Sequence, residues 1–171
     1  MFCLLFFAVF CASCLAAPTG HKSFSPDVGP GTGTAFATGG GNQRITAIRV
    51  WERSGAYISG IQLRLAFMWA KKVGVEVGIA QELDLFDRES IVQISGKFNS
   101  EYIYQLTFVT SRGRFLMVGQ PVTNSFNLYP TYPDEELRLL SGRFNGAGIT
   151  SLAAHWGEFD GNISYIQGLQ G

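Results

Sequence analysis

Ser95-Gly96-Lys97-Phe98-Asn99 and Ser141-Gly142-Arg143-Phe144-Asn145 are two versions of one motif, and each begins eight residues before a run that opens on isoleucine. The first leads into Ile103-Tyr104-Gln105-Leu106 and the second into Ile149-Thr150-Ser151-Leu152. A third opening with the same apolar–x–x–apolar form, Ile45-Thr46-Ala47-Ile48, lies 58 residues ahead of Ile103, while 46 residues separate Ile103 from Ile149. Recurrence at intervals of this size marks a supersecondary unit used several times. The reading is three copies, the first aligned at Ile45.

Outward from these motifs the pattern is that of strands. Between Tyr57 and Ala66 the residues Ile61, Leu63 and Leu65 alternate with Gln62 and Arg64, which is the period of a half-buried strand. Further strands are predicted at Ile45–Trp51, Ile91–Ser95, Ile103–Thr110, Phe115–Gly119, Leu137–Leu140 and Ile149–Trp156. Ser111-Arg112-Gly113, between two of them, reads as a hairpin turn. No segment carries a helical stripe of ten or more residues, so the fold class is all-β. The stretch from Pro18 to Gly41 is rich in Gly, Thr, Ser and Pro and shows no sustained period.

Met1 to Ala17 contains no charged side chain, and its apolar run from Phe2 to Phe10 is followed by Ala12, Ser13, Ala16 and Ala17. A run that short does not cross about 30 Å of hydrocarbon as a helix, and the layout is that of a secretory signal peptide over residues 1–17. Cys3, Cys11 and Cys14 all lie inside it, so the mature chain is expected to have no disulfide. About 155 remaining residues bury close to 70% of the unfolded surface, enough for one core without staples. Thirteen basic residues balance thirteen acidic ones, dispersed along the chain, which leaves no field to draw nucleic acid. No other segment is apolar and long enough for a stable membrane span.

Ile45 to Val50, Ile58-Ser59-Gly60-Ile61-Gln62, Glu89 to Phe98 and Leu106-Thr107-Phe108-Val109-Thr110 resemble the jacalin-like lectins, as do Gly113-Arg114-Phe115-Leu116, Ser125-Phe126-Asn127, Ser141-Gly142-Arg143 and Ala154-His155-Trp156. The likeness is greatest to the secreted zymogen-granule branch of animals. It implies a β-prism of three four-stranded antiparallel sheets with pseudo-threefold symmetry. The implied organisation is a signal peptide over 1–17, an N-terminal segment over 18–28, a lectin domain over 29–157 and a C-terminal tail over 158–171. The implied activity is non-covalent binding of carbohydrate, mannose-type or sulfated, by loops at one end of the prism, in a protein secreted to the extracellular space through granules.

The resemblance also places a site. Its glycine-rich loop falls on Gly31-Thr32-Gly33-Thr34, a second loop on Asn99 to Tyr102, and the family pattern G-x-x-x-D on Gly146-Ala147-Gly148-Ile149-Thr150. Glycine turns offer backbone N–H groups to sugar hydroxyls, and a carboxylate accepts charge-assisted bonds. Here Thr150 stands in place of the aspartate. A charged acceptor contributes about 1.5–3 kcal/mol per bond against roughly 1 for a neutral one, and millimolar affinity amounts to only about 4 kcal/mol in all. The substitution therefore raises an alternative, a sugar-silent prism serving as a matrix or protein-interaction module. The closest branch also implies sulfated ligands on a basic surface, for which Lys71 and Lys72, the only adjacent basic pair, are the candidates.

Other chemistry is not predicted. His21 and His155 are the only histidines, and no H-E-x-x-H pattern or cysteine cluster accompanies them, so neither catalytic residues, metal nor cofactor are expected. His155 reads as structural. Glu82, Asp84, Asp87 and Glu89 alternate with apolar residues and read as a solvated strand face and turn. Asn162-Ile163-Ser164 is an N-glycosylation sequon in the polar tail.

Overall fold

The computed structural model describes residues 22–39 and 43–159. The signal-peptide segment, His21 and Asn162 lie outside the described residues. Those described form thirteen strands and no helix. Sheet I is built on β3 (Ile45–Glu52) and β4 (Ile58–Leu65), flanked by β7 (Ile79–Asp84) beside β3 and by the short β5 (Met68–Trp69) and β6 (Val73–Gly74) beside β4. Sheet II places β10 (Phe115–Gly119), β9 (Ile103–Thr110), β8 (Ile91–Phe98) and β11 (Asn124–Leu128) in that order. Sheet III is β1 (Lys22–Phe24), β13 (Ile149–Gly157), β12 (Glu136–Phe144) and β2 (Thr34–Ala37). All pairings are antiparallel. The chain thus belongs to the all-β class, a β-prism of three sheets.

Each sheet is centred on a hairpin, and the three hairpins repeat almost residue for residue. Ile45, Ile91 and Leu137, spaced 46 residues apart, each stand at a register shift near the start of the first hairpin strand. Glu52, Phe98 and Phe144, again 46 apart, each stand at a second shift near its end and pair with Ile58, Ile103 and Ile149. The partner of Ile103 and Ile149 in the first copy is therefore Ile58, not Ile45. The expected alignment matched a first hairpin strand to two second strands. It erred because apolar–x–x–apolar recurs in both, and pairing rather than pattern tells them apart. The two register shifts fall at matching positions in all three hairpins, and an extra residue at such a shift is what bends a paired strand.

The core follows the same period. Ile48, Ile94 and Leu140 are fully buried, as are Ile58, Ile103 and Ile149, and also Ile61, Leu106 and Leu152. Each triple draws one side chain from each sheet, and all nine belong to one hydrophobic cluster. At one end the sheets close around three glycines of positive φ: Gly29 (101°), Gly74 (81°) and Gly119 (98°). A Cβ at these positions would run into the carbonyl oxygens of Thr150, Ser59 and Tyr104, respectively, and reach Ile103, Ile149 and Ile58 of a neighbouring sheet. Only glycine fits there, for conformation and for space.

The strands without a signal in the sequence are edges. β1 and β2 lie in the aperiodic stretch, yet they supply both outer strands of sheet III, with Lys22–Phe24 against His155–Gly157 and Thr34–Ala37 against Ser141–Phe144. Residues before Gly29 are thus part of the prism: Ser25 donates its N–H to the Ala154 carbonyl, and the Trp156 indole donates to the Ser25 hydroxyl at 2.9 Å. A strand paired on one side with little burial has no need of an alternating pattern.

At the other end, two turns share the form aromatic–x–x–Glu. In Phe86 to Glu89 the carboxylate accepts the Phe86 N–H at 2.8 Å, and in Tyr132 to Glu135 it accepts the Tyr132 N–H at 3.1 Å. Both glutamates are buried. For Glu89 this departs from the expected solvated turn, whereas Glu82, Asp84 and Asp87 are exposed. Burial pushes the Glu89 carboxyl up, but the Thr110 hydroxyl, the Phe86 N–H and the Arg114 guanidinium outweigh it and hold it below the usual carboxylate range.

Candidate functional site

The three hairpin loops and the three crossover loops gather at the glycine end. In sheet II, Asn99 donates its N–H to the Tyr102 carbonyl at 3.1 Å, and its side-chain oxygen accepts the N–H groups of Glu101 and Tyr102 at 2.8 and 2.9 Å. In sheet III, Asn145 donates to the Gly148 carbonyl at 3.0 Å and accepts from Ala147 and Gly148 at 2.9 and 3.1 Å. The last residue of the repeated motif is thus an Asx cap that folds a four-residue loop. In sheet I, Arg53 takes its place and holds a loop one residue longer, through its N–H to the Tyr57 carbonyl.

The crossover loops are tied to these hairpins by equivalent bonds. The carbonyls of Ser59, Tyr104 and Thr150 accept the N–H groups of Val75, Gln120 and Gly31, respectively, at 2.9, 2.9 and 3.3 Å. Two side chains add a second tie. The Thr150 hydroxyl donates to the Thr32 carbonyl at 2.5 Å, and the Ser59 hydroxyl donates to the Val77 carbonyl at 2.7 Å. From the outer side, Arg143 donates to the Gly33 carbonyl at 2.8 Å. Two successive carbonyls of the Gly31–Thr34 loop are therefore occupied as acceptors.

The structure brings together Gly31, Gly33, Tyr102, Gly146, Ala147, Gly148, Ile149 and Thr150, the residues singled out in the sequence. They differ in access. Gly33 and Gly146 are exposed, Gly31, Ala147 and Tyr102 are half-buried, and Gly148, Ile149 and Thr150 are buried. Lys71 and Lys72 lie elsewhere, between β5 and β6 on the edge of sheet I. Lys72 pairs with Glu76 at 2.7 Å and lies 5.6 Å from the Trp51 ring centre, while Lys71 is exposed.

Two residues of this end escaped the sequence reading. The Tyr57 ring stacks on Tyr102 with centres 4.0 Å apart and planes 18° apart, and the Tyr104 edge meets it at 6.0 Å. Arg53 donates to the Tyr57 hydroxyl at 3.1 Å. Gly148 makes room for this ring, since a Cβ there would stand 2.7 Å from Tyr57 Cδ2. The signal available was the recurrence itself, which puts a loop after Glu52 once Ile58 is matched to Ile103. Farther away, the Ser141 hydroxyl and His155 Nε2 share a hydrogen bond of 2.8 Å on the outer face of sheet III. Among the described residues no group of three or more His, Cys, Asp or Glu side chains is placed to hold a metal ion.

Residues 25–155 match the family model for the jacalin-like lectin domain. The chain is 37% identical to zymogen granule membrane protein 16 of Rattus norvegicus over 161 residues, covering 91% of this chain and 94% of the relative. It is also 37% identical to the Homo sapiens protein of that name, with 92% and 95% covered. Among solved structures, a prostate-specific WGA16 glycoprotein lectin superposes with a TM-score of 0.71 at 31% identity, covering 80% of this chain and 99% of that one. Malaysian banana lectin shares the fold at a TM-score of 0.67 and 17% identity, with 80% and 98% covered. The chain belongs to the jacalin-like lectin family, whose members bind carbohydrate and are not enzymes.

Proposed function

We propose that this protein is a secreted lectin that binds a glycan non-covalently through the loops at the glycine end of the prism. The observation that carries the reading is the convergence of the Gly31–Thr34, Asn99–Tyr102 and Gly146–Thr150 loops, pinned to one another by side-chain and backbone bonds. Loops ordered before the ligand arrives lose little entropy on binding. Relatives named for zymogen granules support a route through secretory granules to the extracellular space. On that route Asn162 would be a site for N-glycosylation, and the chain would carry glycan as well as bind it.

Mannose-type and sulfated glycans are the two ligand classes that family membership favours, the latter with Lys71 and Lys72 as contacts. Mannose-specific structures stand among those of the same fold. Thr150 favours a second reading. Its hydroxyl is spent on the Thr32 carbonyl, so it offers no charged acceptor to a sugar, and a prism without sugar affinity would act as a matrix or protein-interaction module. A glycan array that includes mannosides and sulfated polysaccharides, run with the wild type and Thr150→Asp, separates the two. Signal from the wild type supports the lectin, and mannoside signal from the variant alone supports the silent prism. Silence of both on every glycan defeats the lectin reading.

A further inference from the structure

We propose that Asn145 modifies itself: the Gly146 nitrogen attacks the Asn145 side-chain amide, ammonia leaves, and aspartate or isoaspartate remains in the hairpin loop of sheet III. This chemistry belongs to the chain alone and needs no sugar. A bond forms from the Gly146 nitrogen to Asn145 Cγ, the Cγ–Nδ2 bond breaks, and the departing amine takes up a proton in place of the one that Gly146 gives to solvent. Water then opens the five-membered imide at either carbonyl.

Three features of the loop favour the reaction. The Asn145 side-chain oxygen accepts the N–H groups of Ala147 and Gly148 at 2.9 and 3.1 Å, which folds the side chain back alongside the Gly146 peptide. The same two donors face the oxygen on which negative charge grows when Cγ becomes tetrahedral, as in an oxyanion hole. Gly146 supplies an open nucleophile. It is exposed, and among the described residues its N–H makes no hydrogen bond and a Cβ there would meet nothing within 4 Å. Solvent reaches that proton, and no side chain obstructs the approach to Cγ. The leaving nitrogen, finally, donates to the Tyr102 hydroxyl at 3.2 Å. Once Cγ is tetrahedral the nitrogen gains a lone pair, the contact reverses, and the phenol donates a proton to the departing amine.

Sheet II carries an internal control. Asn99 makes the same cap, with bonds of 2.8 and 2.9 Å to its side-chain oxygen, but Ser100 follows it, and among the described residues its amide nitrogen has no partner. Each event at Asn145 adds one negative charge and removes the donor that holds the Tyr102 hydroxyl. The isoaspartate form also lengthens the main chain inside a loop that Asn145 and Gly148 close. The loop would thus keep a record of the age of the protein.

The test incubates the freshly purified full chain, folded or held unfolded in urea, at mildly alkaline pH in water enriched in heavy oxygen. Peptide mass spectrometry then follows label uptake at Asn145 and Asn99. In the folded chain Asn145 should convert about tenfold faster than Asn99, because glycine leaves the nucleophile unhindered. It should also convert at least as fast as in the unfolded chain. Gly146→Ala, for which there is space and no left-handed φ to oppose it, should bring Asn145 down to the Asn99 rate. Tyr102→Phe, which keeps the ring, should slow Asn145 about threefold and leave Asn99 unchanged. Equal rates at the two asparagines, or slower conversion of Asn145 folded than unfolded, overturn the proposal. A Gly146→Ala variant that converts as fast as the wild type overturns it as well.

Discussion

The β8–β9 hairpin of sheet II and the β12–β13 hairpin of sheet III carry the same framework and differ where they face the glycine end. Both end on an asparagine that caps the loop with two bonds to its side-chain oxygen. Both begin after a buried glutamate that closes a turn, and both approach a glycine of positive φ in the crossover loop. The differences are few. Tyr102 and Tyr104 stand in sheet II where Gly148 and Thr150 stand in sheet III, and Glu89 meets Arg114 where one oxygen of Glu135 has no partner. Shared positions are those whose backbone geometry the fold dictates. Divergent ones set what the loops present, which is why one hairpin brings rings and the other brings space for them.

The severest way to break the comparison is at the paired glycines. Gly119→Ala and Gly29→Ala each put a Cβ against a backbone carbonyl, Tyr104 and Thr150 respectively, at a φ that alanine rarely adopts. Left-handed strain and overpacking together should cost about 4 kcal/mol in each sheet. Denaturant unfolding that shows one variant nearly neutral would mean that the two crossovers are not equivalent.

The glutamates sharpen it next. Glu89→Gln should cost about 2 kcal/mol at neutral pH, because it weakens charge-assisted bonds from Thr110 and Arg114. Glu135→Gln should cost about half that, since Glu135 lacks the arginine and accepts only from Ser23, Thr131 and Tyr132. The folded-state pKa of Glu89 lies below its unfolded value. Its contribution is therefore present above the ordinary glutamate pKa of about 4.3 and is lost as pH falls through the lower folded value. Thermal unfolding between neutral pH and pH 2 should show a shallower acid loss in Glu89→Gln than in the wild type. Parallel curves would refute the assignment.

The smallest effects belong to the loop caps. Asn99→Ala and Asn145→Ala each remove two bonds to loop N–H groups and should cost about 1 kcal/mol. Hydrogen exchange should separate them, with Glu101 and Tyr102 amides losing protection in the first and Ala147 and Gly148 in the second. Asn145→Ala should also loosen Tyr102, whose hydroxyl it releases. Loss confined to one loop in both variants would show that the caps do not act locally.

The alternation of Tyr57–Ala66 and the Ser-Gly-basic-Phe-Asn pair were enough to read an all-β chain built from repeated units. Each hairpin strand buries one face, and a period of two is the necessary consequence. The candidate loops were also legible, because glycine and asparagine at fixed spacing mark turns wherever they occur. Tertiary structure decided the rest. It moved the first copy from Ile45 to Ile58, because register is a property of pairing, and it drew β1 and β2 from an aperiodic segment, because an edge strand takes its shape from its neighbour. It buried Glu89 among partners 21 and 25 residues away, Thr110 and Arg114. It turned Thr150 inward onto Thr32 and brought Tyr57, Tyr102 and Gly148 together from the hairpin loops of three different sheets. Local pattern fixes which face of a strand is apolar, but what a loop residue meets depends on sheets that are completed only when the first and last of the described strands pair.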